Sequence, residues 1–331
     1  MPNIITHKLF AEDVYHALND TQLKCMVKRN LELYYIGSQG PDFLFFSHLM
    51  PWDVYKSHEL NRLGSRMHNE HINDFYECAM HSIQKQTNKE IQERMIVYLF
   101  GHLCHWALDK TAHPYIYYFT GKGKKKNSSF HHRLESIIDA RLLEKKRDLT
   151  IKEYPYYKLC EYDVNMLQAI ARIYVAVSRE VYHVDLKVHD IRETLDTWYE
   201  VQKFLYDPGC IKYACIHGVE KILHKEWQLS GNIVRNKEID QLDILNEERK
   251  EWKHPCDDKI TSTASFLDLY DDAIITASKV IKMANWILQG KAGIHHLLHI
   301  IDDQTYTRGM KENKEMRYFN IIFEKQREDT K

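Results

Sequence analysis

Apolar residues recur at three- and four-residue spacing through most of the 331-residue chain, and only 12 glycines and 7 prolines interrupt them. That period builds one face of a helix, not the alternating face of a strand, and β-branched runs are too short to compete with it. The chain is therefore expected to be all-α. The pattern predicts helices over residues 6–18, 21–35, 59–85, 88–112, 129–147, 162–184, 189–206, 211–229 and 263–289. Turn chemistry separates them at Gly37–Asp42, around Pro51 and along the basic run Gly121–Asn127. Residues 231–262 are polar and read as a linker, so the expected organisation is a helical domain over 1–230. A 231–331 extension follows, holding the linker, a further helix packed on the same domain and a charged tail.

The 46 basic and 47 acidic residues nearly cancel, so no global field draws the molecule onto nucleic acid or an anionic membrane. An anionic substrate needs a local site. The first residues lack the basic start and apolar run of a secretory signal, and no apolar stretch is long enough to span a bilayer. A cytoplasmic location is the expectation. Seven scattered cysteines without a Cys-x-x-Cys pair suit reduced thiols rather than a disulfide framework.

The 20 histidines are the chemical signal, because imidazole is the commonest metal ligand. In His105-Trp106-Ala107-Leu108-Asp109 the histidine and the aspartate lie one helical turn apart on one face. The same spacing recurs in His131-His132-Arg133-Leu134-Glu135, with Asp139 a further turn along that stripe. Pro114 disfavours helix at His113 and suggests that this imidazole is aimed from a chain turn. The bland alternative for each pair is a surface salt bridge, but the neighbours Leu103, Trp106, Phe130 and Ile138 are apolar, and a buried acid needs a partner. Zinc accepts nitrogen and carboxylate oxygen and leaves a position for water, which suits hydrolysis.

Read in order, Thr6-His7, Gly37 to Asp42, Ser47-His48, His105-x-x-x-Asp109, His113-Pro114 and His131-x-x-x-Glu135 resemble the bacterial zinc-dependent phospholipase C family over about the first 140 residues. The resemblance implies a multi-helix phospholipase C/nuclease-like bundle with a metal cleft, here with a helical C-terminal extension. It implies two to three zinc ions hydrolysing a phospholipid or related small phosphodiester. Carried over, His113, His131 and Glu135 would hold one zinc; His48, His105 and Asp109 would serve a second; His7 and Asp109 would serve a third. Asp42 would sit at the second zinc and orient or deprotonate the attacking water. The chain lacks the N-terminal tryptophan of the secreted enzymes, and the amine of Pro2 is the candidate substitute.

His68 is the rival to His48 for the second zinc, and His102 is a weaker rival for a place in the cluster. The Lys122–Lys126 run reads first as a solvated loop, with attraction of phosphate as its alternative role; the Tyr115–Phe119 run reads first as packing, with an acyl or cationic headgroup wall as the alternative. Competing functions are a zinc single-strand nuclease of the same superfamily and a non-catalytic helical metal-binding module. A ferritin-like di-iron bundle, built on paired Glu-x-x-His motifs, is a lesser alternative.

Overall fold

The structure, a computed structural model, describes residues 4–49, 57–225, 227–236 and 242–324. Its helices are α1 (Ile4–Ala17), α2 (Thr21–Arg29), α3 (Leu31–Gly37), α4 (Glu59–Asn69), α5 (Ile72–Lys85), α6 (Lys89–Thr120), α7 (Lys125–Arg147), α8 (Val164–Glu180), α9 (Val188–Leu205), α10 (Ile211–Ile222), α11 (Phe266–Leu288) and α12 (Ile294–Ile301). Among the described residues the fold is all-α apart from one antiparallel hairpin, β1 (Trp252–His254) with β2 (Asp257–Ser262). Among the described residues no helix is long and apolar enough to cross a membrane. All seven cysteines are free.

Helix α6 is the axis of the molecule. Asn88 caps it by accepting from the amides of Glu90 and Ile91, and Gly121, at φ 73, ends it. Between them Met95 to Asp109 is almost continuously buried, as expected of a helix that is apolar all round and wrapped by neighbours. The periodicity alone ended this helix near residue 112, yet it runs through Pro114 to Thr120. A mid-helix proline removes a hydrogen bond to the i−4 carbonyl and costs about 3 kcal/mol. Here the burial of Tyr115 and Ile116 offsets that cost. The Lys110 carbonyl that lost its donor is covered by the backbone of Gly309, held at φ +63, where a Cβ would lie 2.1 Å from that oxygen.

Two predicted helices are each divided. Residues 21–35 break at Asn30 between α2 and α3, and 59–85 break where His71 takes the left-handed φ of 58° between α4 and α5. Residues 231–262 are more ordered than a linker. They hold the hairpin, whose Trp252 ring meets Tyr115 edge-on at 5.5 Å, although 237–241 lie outside the described residues. One apolar core runs from Ile4 through α11 and α12 to Phe323, so the C-terminal third shares its interior with the first 230 residues.

Helix α1 is docked by a buried acid. Asp139 on α7 accepts from the Ile5 amide (3.3 Å), the Thr6 amide (2.8 Å) and the Thr6 hydroxyl (2.6 Å). It therefore faces the start of α1, where orphan helix amides need acceptors, instead of continuing the ligand stripe. Burial drives its carboxyl up to about 7 in spite of these donors. Asp139→Ala should strand all three donors and lower stability by about 2–4 kcal/mol. An unchanged urea midpoint for this variant would contradict the assigned role.

Candidate metal centre

Five elements meet around one cleft of about 380 Å³. Helix α1 brings His7, the 3-10 turn Asp42–Phe46 brings Asp42, α4 brings His68, α6 brings the cleft-lining Asp109 and His113, and α7 brings His131 and Glu135. His105, a turn before Asp109 on α6, is fully buried beneath them. Because α6 continues through Pro114, His105, Asp109 and His113 form a single stripe at four-residue intervals instead of a helix end followed by a turn.

The ligand-type atoms form three close groupings: His7, Asp42 and His105; His68, His105 and Asp109; and His113, His131 and Glu135. Within each, the donor atoms lie within 4.8 Å of one another. His48 belongs to none of these groupings among the described residues. It leaves the 42–46 turn at φ 56, after Asn61 has pinned the carbonyls of Phe45 and Ser47. His68 stands instead with Nε2 3.0 Å from Asp42 Oδ1. His102 turns away from the cleft, its Nδ1 facing the Tyr76 hydroxyl at 2.9 Å and its ring stacked on Phe75. Pro2 lies outside the described residues.

Imidazole orientation bears on whether the cluster could hold a metal. His68 Nδ1 donates to the Gly64 carbonyl (2.7 Å), His105 Nδ1 to Ser38 (3.2 Å) and His113 Nδ1 to Tyr306 (2.9 Å). A carbonyl only accepts, so each Nδ1 carries a proton and Nε2 is the nitrogen each ring turns to the cleft. Two of these nitrogens face carboxylate oxygens: His105 Nε2 is 3.2 Å from Asp109 Oδ2, and His113 Nε2 is 3.7 Å from Glu135 Oε1. An imidazole nitrogen facing a carboxylate calls for a cation between them, a proton on the ring or a metal ion that takes its place. A backbone carbonyl on the second ring nitrogen is also the usual support for a metal-bound histidine. The donor set of imidazole nitrogen and carboxylate oxygen therefore fits zinc.

The electrostatics agree. Burial opposes charge on Asp42 and Asp109, yet His105 and His68 hold the Asp42 carboxyl down at about 2, and His105, His113 and His7 hold Asp109 well below the carboxylate range. Burial, set against the nearby carboxylates, pulls His105 and His131 below the ordinary imidazole value, which favours the ligating form. His7 and His113 are raised against their burial, chiefly by Asp109.

Two features outside the ligand motifs hold this geometry. The first is the segment 304–309: the Gln304 carbonyl accepts from Trp106 Nε1, the Tyr306 amide donates to the His68 carbonyl, and the Tyr306 carbonyl orients His113. No sequence signal marks it, since backbone groups do the work. The second is Gly40, at φ +54, where a Cβ would sit 2.2 Å from the His105 ring. Gly40→Ala should displace that ring and weaken zinc binding by about tenfold or more, measured by competition with a chelator. Affinity equal to that of the unmodified chain would refute the contact's importance.

Among curated proteins and among solved structures no match is found. A family model described as zinc dependent phospholipase C matches residues 6–184, which is more than half the chain and includes every residue of the three groupings. With the all-helical fold and the zinc-compatible donors already in place, the chain belongs to the zinc-dependent phospholipase C family.

Proposed function

We propose that the chain hydrolyses a phospholipid, or a closely related phosphodiester, on the glycerol side of the phosphate, using two to three zinc ions. The observation that carries this reading is the set of three histidines anchored through Nδ1 to backbone carbonyls, with Nε2 turned toward carboxylates in one open cleft. His113, His131 and Glu135 are assigned to one ion. His7, Asp42, His68, His105 and Asp109 are assigned to the remainder, with His68 replacing His48 in the set.

Zinc bound there supplies Lewis acidity, which lowers the pKa of water and offsets the charge of the phosphodiester and of its transition state. The protein's own part is positional. Asp42, held ionised by His105 and His68, accepts a hydrogen bond from the attacking water and fixes its line of approach. The water oxygen bonds to phosphorus, the P–O bond to glycerol breaks, and a proton passes to the departing diacylglycerol oxygen.

Elemental analysis together with turnover of dihexanoyl phospholipids, bis(p-nitrophenyl) phosphate and single-stranded DNA tests the reading. Two to three zinc per chain and phosphodiester turnover are expected, with Asp42→Asn slowing kcat about a hundredfold or more. One zinc or none, with no ester cleaved, would point to a binding module instead. Preferential cleavage of single-stranded DNA would reassign the chain to nuclease chemistry.

A further inference from the structure

Among the described side chains of the Lys122–Lys126 run, Lys122 is the lysine that lines the cleft. Lys126 pairs with Glu324, away from the cleft, whereas Lys122 lines it from the loop joining α6 to α7, the two helices that carry His113 and His131. The Lys122 ammonium lies 5.1 Å above the Tyr117 ring and forms no ion pair among the described residues. That partial shielding, and then the charge of Arg308, pulls it below the ordinary lysine value.

Arg308 follows the cleft-lining Thr307 on the segment that orients His113, and it bonds a second lining residue. Its guanidinium donates to the Asn69 side-chain oxygen (3.1 Å) and to the Lys314 carbonyl (3.0 Å). Both partners are neutral oxygens. Lys122 in the lining and Arg308 beside it thus both lack a carboxylate partner among the described residues, and the charge of Arg308 is felt at Lys122; like charges disfavour such an arrangement unless an anion arrives.

The acids of the cleft reinforce the point. The acidic residues lining it are Asp42, Asp109 and Glu135, all within the metal groupings. No carboxylate among the lining residues is left to receive a cationic headgroup, and the Tyr117 face that could take a quaternary ammonium is covered by Lys122. Thr307 and Asn69 add hydrogen-bonding groups beside the cations.

We propose that Lys122 and Arg308 form a subsite for a second anionic group, so that the preferred substrate is a phospholipid whose headgroup carries a negative charge beyond that of the phosphodiester. This rests on the phospholipase reading of the centre. Two headgroup chemistries meet the requirement, a phosphomonoester on a polyol and a carboxylate on an amino acid. Lysine suits either as a point charge, and arginine suits the planar or trigonal oxyanion in particular.

The test uses the zinc-loaded full chain and short-chain lipids below their critical micelle concentration: dihexanoyl-phosphatidylinositol 4-phosphate, dihexanoyl-phosphatidylserine and dihexanoyl-phosphatidylcholine. At least one anionic lipid should exceed the choline lipid in kcat/KM by about tenfold or more, mostly through KM. Lys122→Met should erase that preference, Lys122→Arg should restore it, and neither should alter turnover of bis(p-nitrophenyl) phosphate, which has no second anion. The two anionic arms separate phosphomonoester from carboxylate recognition. Calorimetric binding of glycerophosphoinositol 4-phosphate against glycerophosphocholine reads the subsite without turnover. Lys122-dependent binding with no hydrolysis would retain the subsite and overturn the phospholipase reading. Preference for the choline lipid, or an equal effect of Lys122→Met on every substrate and ligand, would overturn the subsite.

Discussion

Replacing Asp109 by alanine is expected to reduce phosphodiester turnover by about a thousandfold or more and to lower the zinc content. Its Oδ1 is 3.2 Å from His7 Nε2, and its Oδ2 is 3.2 Å from His105 Nε2 and 3.5 Å from His113 Nδ1. It is the one carboxylate among the described residues that approaches imidazoles from both sides of the cluster. Losing it removes a carboxylate shared by three imidazoles and the negative charge that would offset bound zinc. Asp109→Asn keeps the shape and removes the charge, so it should share most of the loss. Elemental analysis and steady-state turnover check this together. Full zinc content with turnover within tenfold of the unmodified chain would show that the hub is dispensable.

Gly101→Ala should be the most damaging of the small substitutions. Helices α3 and α6 cross with Gly37 and Gly101 in backbone contact: a Cβ on Gly101 would lie 2.1 Å from the Tyr34 carbonyl oxygen and 2.9 Å from the Gly37 Cα. No rotamer change relieves a backbone clash, so the helices must separate, at about 3 kcal/mol or more. The shift would also draw Ser38 away from His105 Nδ1, so weaker zinc binding should accompany the loss of stability. Gly218 on α10 is the control, because a Cβ there meets nothing within 4 Å. Gly218→Ala should be neutral or stabilising by up to about 1 kcal/mol. Guanidinium midpoints compare the two, and equal midpoints would contradict the packing argument.

Much of the helical order was legible because it depends on periodicity, and periodicity is local. The His105/Asp109 and His131/Glu135 spacings likewise carry their geometry in the helical repeat, and the structure sets these pairs 3.2 and 3.0 Å apart. Proline chemistry misled at Pro114, because local preference cannot register that Gly309 arrives to cover the abandoned carbonyl. The choice between His48 and His68 was equally non-local. It turns on how α4 packs against the 42–46 turn, and both histidines have unremarkable sequence neighbours. Least legible was the role of 304–309, which orients His113 through a main-chain carbonyl that any residue could provide.

That last feature bears on how the protein is made. All eight residues of the three groupings have been synthesised once Glu135 is added, but the carbonyl that turns His113 into line belongs to Tyr306. At roughly 5–20 residues per second the interval is on the order of ten seconds or more. During it the nascent chain holds a complement of imidazoles and carboxylates whose final alignment is unset. Productive metal loading would thus wait on synthesis of the chain past Tyr306, and an ion captured earlier would meet a looser, less selective cluster.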